Sequence, residues 1–372
     1  MINNAEIKAQ NVALTSKIDH LPLFKRTFFY LQIYTNYCIM DLQNTRKAAI
    51  RMSDFPLSKK ELKIGILGYT EGNGHPYSWS AMLNGYDKEL MERECPFPVI
   101  PDYLGKQPKE TFGIEGARIT HICCTGYEGI ERARHVARAA LIENVTERPE
   151  DMIGEVDAVI CATDNGNEHV ERCEPFLSAG IPMFIDKPLV NTEEDLRTFI
   201  GWRNEGKKFI SSSSLRYCKE IEPYYGATYE FGSLRYICSP MPKRWEEYGI
   251  HAVERMYHLL GRGFLSAENS GSYERAHVHL VHESGCSVDI PQGVGMAGAG
   301  MLMIGTKGST YVETKDSYYA FKKQLDLFVN WLRTGREPVD FADTVEMMKI
   351  IIAGIRSREE GGRVVLLDEI KA

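Results

Sequence analysis

Two residues able to handle charge and protons beside a small molecule stand far apart in this chain. In "FIDKPLV" (184–190) an apolar run ends in Asp186-Lys187-Pro188. In "EEYGIHAVE" (246–254) a histidine, His251, follows Glu247 by four residues. Histidine changes charge near pH 6.5, roughly working pH, so it suits general acid–base work. On a helix Glu247 and His251 share a face, and the carboxylate is placed to orient the imidazole. Lys187 ends a strand, and open parallel sheets bind ligands beyond the carboxyl ends of their strands. Pro188 needs no ladder N–H and fixes where the chain turns, so the ammonium is aimed. Structural roles fit the same residues: Lys187 pairing with Asp186, and His251 packing at a helix start.

A third group is the glycine loop Gly68-Tyr69-Thr70-Glu71-Gly72-Asn73-Gly74-His75. Glycines between a strand and a helix let backbone approach a pyrophosphate, and the helix N-terminus adds a favourable field. Thr70 and Asn73 stand where the usual G-x-G-x-x-G has its second and third glycines, so a plain strand-to-helix turn also fits. At the end of the second strand, where an acid often binds a dinucleotide's ribose, the chain reads Cys124-Thr125-Gly126 and no acid falls at the expected place, although Glu128 is close. Arg132 and Arg134 lie near enough for a 2′-phosphate or for a solvated helix face, leaving NAD and NADP both open. His277 and His279 share a strand face, but no third ligand has metal spacing, so no metal is expected.

The elements that must position these groups alternate regularly. "LKIGILGY" (62–69), "ARITHICCTG" (117–126), "VDAVICATD" (156–164), "IPMFIDKP" (181–188) and "KKFISSSS" (207–214) read as strands. Helical stretches lie between them, notably 128–141, 167–180 and 192–206, and the Pro-rich run 95–113 reads as an irregular insertion. The alternation predicts a doubly wound parallel sheet, an α/β Rossmann domain over 61–214. Beyond 215, short strands with turn residues predict an α+β domain over 215–372 with a largely antiparallel, open-faced sheet. It carries one internal helix (248–261) and two closing helices (318–335, 341–362).

The chain has 372 residues, 43% hydrophobic and 26% charged, which suits two soluble domains. Lys+Arg total 44 against Asp+Glu 51, a net charge of −7 without a basic cluster, which argues against a nucleic-acid binder. Nine scattered cysteines without a C-x-x-C pair suit free thiols in a reducing cytoplasm. "FKRTFFYLQIYTNYCIM" (24–40) is too short and polar to span a membrane and lacks signal-peptide order. Residues 1–60 read as a poorly ordered extension. Met52, just before the regular pattern, is a candidate true start.

The motifs together resemble the Gfo/Idh/MocA oxidoreductases, the group of glucose-fructose oxidoreductase and inositol 2-dehydrogenase. The family's Glu-Lys-Pro appears as Asp186-Lys187-Pro188. Its Thr-Pro-Asn turn and His-led helix appear as Thr163-Asp164-Asn165 and His169, with Asp164 in place of proline. "EEYGIHAVE" resembles Asp-x-Gly-x-His-x-x-Asp, with Glu247 where aspartate is usual. "SSSSLRY" and "IGTKGSTYVE" resemble further family segments, so the resemblance covers about 62–360.

That resemblance implies an NAD(P)-dependent dehydrogenase acting on a hydroxyl or keto group of a sugar, cyclitol or derivative. Lys187 would polarise the oxygen, His251 would take the proton and Glu247 would assist. NAD or NADP would lie along Gly68, Thr70, Gly72, Asn73, Gly74, His75, Thr125, Thr163, Asp164, Asn165, His169, Asp186 and Lys187. Arg216, Tyr217, Lys243, Arg244 and Trp245 flank the expected site. Arg216 would meet an anionic substrate and Trp245 would stack on a sugar ring, although all five also suit an ordinary surface. Two alternatives are a non-catalytic dinucleotide- or sugar-binding regulator and a cofactor-recycling glycosidase- or lyase-like relative. Tetrapyrrole reduction has no supporting residue. The open-faced sheet implies a homodimer or homotetramer.

Overall fold

The computed structural model describes residues 55–126, 128–226, 231–298 and 300–372. The expected extension lies outside them apart from its last residues. Those residues are packed: Leu57 N donates to Leu332 O at 2.8 Å, and the Phe55 and Trp331 rings lie 5.1 Å apart.

Six strands form the first sheet: β1 (Leu62–Gly68), β2 (Ala117–Cys124), β3 (Asn144–Val145), β4 (Ala158–Cys161), β5 (Met183–Ile185) and β6 (Phe209–Ser211). All are parallel, in the order β3-β2-β1-β4-β5-β6, the Rossmann arrangement. Strand order reverses between β1 and β4, so their carboxyl ends frame a crevice. Near-continuous burial of β1 reflects cover on both faces.

The helices of this half are α1 (His75–Asn84), α2 (Lys88–Glu94), α3 (Val99–Gly105), α4 (Gly129–Ala139), α5 (His169–Ser178) and α6 (Glu193–Asn204). Helix α3 lies inside the Pro-rich stretch expected to be irregular. Pro98 is its N-cap and Pro101 sits in its first turn, where a missing N–H removes no intrahelical bond.

The second sheet is mixed and mostly antiparallel. It comprises β7 (Leu234–Cys238), β8 (Met241–Pro242), β9 (Phe264–Asn269), β10 (Arg275–His282), β11 (Ser287–Gly293), β12 (Gly300–Gly305), β13 (Ser309–Glu313) and β14 (Val365–Leu366). The order is β13-β12-β7-β11-β10-β9-β14, with β8 also beside β11. Only β7 and β8 pair with β11 in parallel. On the outward face of β10, His279 pairs with Asp289 at 2.8 Å and His277 lies 3.4 Å from Ser270. The eight cysteines among the described residues are free, and seven are buried.

Three long helices complete the fold: α7 (Trp245–Leu260), α8 (Ser317–Thr334) and α9 (Phe341–Glu359). Helix α8 follows the second sheet in sequence yet packs on the first. Its Leu325, Phe328, Trp331 and Leu332 share a core with Ile64, Trp79 and Phe184. Helix α7 starts three residues earlier than the sequence pattern predicts, because Trp245 inserts against α9. The indole is fully buried, and Nε1 donates to Ile351 O at 2.9 Å. Gly249 and Gly354 make room for it: a Cβ would fall 2.4 Å and 2.6 Å from the indole. Gly354→Ala is therefore expected to cost about 1–3 kcal/mol by overpacking. It would appear as a lower urea midpoint at constant m; an unchanged midpoint would refute the packing account.

Candidate active site

Lys187 lies immediately beyond β5, with its side chain only 2% exposed. The Lys187–Pro188 peptide is cis. Its Nζ is buried and, among the described residues, has no hydrogen-bond partner. The nearest carboxylate, Asp164, lies 3.6 Å away, close enough for an ion pair but too far for a good hydrogen bond. Burial pushes the Lys187 pKa down, but Asp164 and then Asp186 outweigh it and hold the amine above its ordinary value. Burial likewise pushes Asp164 up, and Lys187, His75 and the Thr70 bond prevail, leaving it lowered.

The glycine loop is tied to the same pair of strand ends. Thr70 Oγ1 donates to Asp164 Oδ1 at 2.8 Å. Asn73 Nδ2 donates to Ala162 O at 3.1 Å and to Asp186 Oδ2 at 3.3 Å, while Asn73 Oδ1 accepts from His75 N at 2.8 Å. His75 Nδ1 lies 2.5 Å from Asp186 Oδ2, and its ring stacks on Trp79 at 4.4 Å. Asp186 Oδ1 accepts the backbone N–H of Lys187 at 2.7 Å. Thr70, Asn73, His75, Asp164, Asp186 and Lys187 are thus one connected network at the crevice between β1 and β4.

Other residues expected at the cofactor hold its walls. His169 is fully buried and bridges Thr163 O (2.7 Å) and Leu189 O (2.9 Å), pinning the turn after β4 to the segment after Lys187. Asn165 Nδ2 donates to Glu168 Oε1 at 2.7 Å. Thr125 Oγ1 accepts from Arg172 Nη1 at 2.7 Å. Arg132 is buried, bonds to the Tyr77 hydroxyl at 2.8 Å and pairs with Glu128; exposed Arg134 pairs with Glu131.

Gly72 has φ +80°, a conformation that favours glycine, and a Cβ there would meet nothing within 4 Å. Gly68, in contrast, is closely packed, with a Cβ position 2.7 Å from Pro76 Cγ. The Lys187 ammonium is a buried donor able to meet a ligand oxygen.

His251 approaches from α7. It is 7% exposed, and its ring lies 4.6 Å from the Tyr248 ring. The Tyr248 ring also carries Lys187 Nζ at 4.6 Å and Lys243 Nζ at 4.3 Å from its centroid. Sequence reasoning missed Tyr248, which joins the amine to the imidazole; its place between Glu247 and Gly249 was the available signal. Burial first, then Lys187, His75, Lys243 and Arg255, push the His251 pKa well below its ordinary value.

Three expected site residues are placed differently. Glu247 and His251 are both on α7, but among the described residues no hydrogen bond links them. Glu247 lies 3.7 Å from Arg244, and the imidazole Nδ1 lies 2.6 Å from Ser213 Oγ. Trp245, buried against α9, has no face left for a sugar ring. Arg216 is 2% exposed, and its Nε donates to Glu254 in a buried ion pair, with His258 Nε2 3.3 Å from Nη1. Tyr217 is also buried, and Arg244 pairs with Glu274 at 2.9 Å. His258 is held at about 4 by burial and then by Arg216.

Residues 102–211 match the family model described as oxidoreductase family, NAD-binding Rossmann fold. Fold, crevice and sequence match define an NAD-binding Rossmann oxidoreductase. Over residues 102–211 the chain is similar to the Gfo/Idh/MocA oxidoreductases. Solved structures share its fold at low identity. Myo-inositol 2-dehydrogenase from Lactobacillus plantarum is 14% identical with TM-score 0.65, over 82% of this chain and 99% of that one. Apo scyllo-inositol dehydrogenase from Lactobacillus casei is 16% identical with TM-score 0.62, over 84% and 100%. Myo-inositol dehydrogenase from Lactobacillus casei, in complex with NAD(H) and myo-inositol, is 15% identical with TM-score 0.62, over 82% and 96%. No curated protein matches the sequence significantly.

Arg216→Met would leave Glu254 buried without its cation, at a cost of about 3–5 kcal/mol. Chemical denaturation is expected to register that loss. Full stability with loss confined to substrate affinity would instead return Arg216 to a substrate contact.

Proposed function

We propose that the protein is an NAD(P)-dependent dehydrogenase interconverting a hydroxyl and a keto group on a sugar, cyclitol or derivative. The observation that carries this reading is the buried, unbonded ammonium of Lys187 sharing the Tyr248 ring with the imidazole of His251. A buried ammonium with unfilled donors calls for an oxygen ligand. The named neighbours extend the reading to cyclitols: one was solved with NAD(H) and myo-inositol.

The dinucleotide would be held by the Gly68–His75 loop, Thr125 and the Thr163–Asn165 turn, and when bound it supplies the hydride acceptor. Lys187 donates to the substrate oxygen and favours its developing negative charge. His251 Nε2 accepts the hydroxyl proton. Its lowered pKa keeps it neutral, and so basic, at neutral pH. Asp164 and Asp186 keep Lys187 charged, and His75 with Asn73 holds Asp186 in place.

Exposed Leu265, Ile304 and Tyr311 on the second sheet's strands support association of copies through that sheet, as a homodimer or homotetramer.

NAD+ or NADP+ at 100 times its dissociation constant is expected to stabilise the protein by about 2.7 kcal/mol, visible as a thermal shift. A sugar and cyclitol panel should then generate reduced cofactor. Lys187→Ala and His251→Ala should each lower kcat/KM by roughly 10²–10⁴, with the dinucleotide shift kept in His251→Ala. A protein stabilised by neither dinucleotide would overturn the proposal.

A further inference from the structure

A histidine base needs its working nitrogen bare and its other nitrogen held. Among the described residues no hydrogen bond reaches His251 Nε2, so what holds Nδ1 sets the tautomer. That group is Ser213, from the segment after β6. Its Oγ lies 2.6 Å from Nδ1 and accepts the Leu215 N–H at 3.0 Å. Ser213 is fully buried, and its own N–H donates to Glu254 Oε1 at 3.0 Å. Glu254 is three residues after His251 on α7 and is itself fixed by Arg216. The serine is therefore fastened to the same helix as the imidazole it touches.

A hydroxyl carries one hydrogen and two lone pairs. The Leu215 N–H occupies one lone pair. The other can accept Nδ1–H, which leaves the lone pair of His251 on Nε2. After Nε2 takes a proton, the Nδ1–H to Oγ bond persists, so no group must turn during the transfer. The hydroxyl is also uncharged. A carboxylate on Nδ1 would favour imidazolium and raise the pKa of the base. The groups acting electrostatically on His251 are Lys187 beyond β5, His75 at the start of α1, Lys243 before α7 and Arg255 on α7, with the Tyr248 ring at its edge. All four lower the His251 pKa, the same direction as the neutral partner.

We propose that Ser213, rather than Glu247, is the positioning residue of His251, holding Nδ1–H so that Nε2 stays the basic nitrogen. This rests on His251 being the base.

The test is nitrogen-15 NMR of the histidines in the full chain, titrated from pH 4 to 8, with His251→Gln assigning the signal. The wild type is expected to show a protonated Nδ1 and a bare Nε2 at pH 7. Ser213→Thr should keep that pattern, and Ser213→Ala should shift the population toward Nε2–H. Ser213→Asp should raise the His251 pKa by about 1–3 pH units. A wild type already in the Nε2–H form overturns the proposal without any variant having to fold. An unchanged tautomer in folded Ser213→Ala overturns it too. The base role fails separately, if His251→Gln retains dehydrogenase activity while the wild-type tautomer is as expected.

Discussion

A lysine ammonium placed where water barely reaches is the constraint on which the site depends. An isolated buried cation is costly, so Lys187 requires anions nearby. Asp164 and Asp186 supply them from the ends of β4 and β5. Each anion is in turn anchored by the glycine loop, Asp164 through Thr70 and Asp186 through Asn73 and His75. One charge thereby ties three neighbouring strand ends into a single piece. The aspartate at position 164 is a departure from the family's proline, and it is the residue closest to balancing the lysine.

The second half of the site is built by different means. His251 is delivered by a helix whose first turn is wedged by Trp245 and whose middle is fixed by the Arg216–Glu254 pair. Tyr248 closes the gap between the two halves with a ring face in place of a salt link. That contact sets the imidazole near Lys187 and Lys243, which with burial favour its neutral form.

The strand and helix alternation was legible because a parallel sheet writes short apolar runs bounded by glycines and helix caps. Lys187 and His251 were legible for a similar reason, as each stands at a fixed place in a short motif. Partners recruited across the fold were not. Glu247 looked like the partner of His251 because helical spacing is visible in sequence, whereas Ser213 is 38 residues away and meets it only through folding. Trp245 and Arg216 looked like substrate contacts because sequence does not show what packs over a large or charged side chain. Helix α8 was assigned by chain order to the second domain, yet its apolar stripe completes the core of the first sheet.

The glycine beside the histidine carries a separate message. Gly249 is small because the Trp245 ring occupies the space where a methyl would stand. Its presence reports how tightly two helices approach, and says nothing of proton transfer. The motif is therefore composite: one letter records chemistry and its neighbour records fit. A chain with a smaller residue in place of that indole could exchange the glycine and keep the same histidine at work.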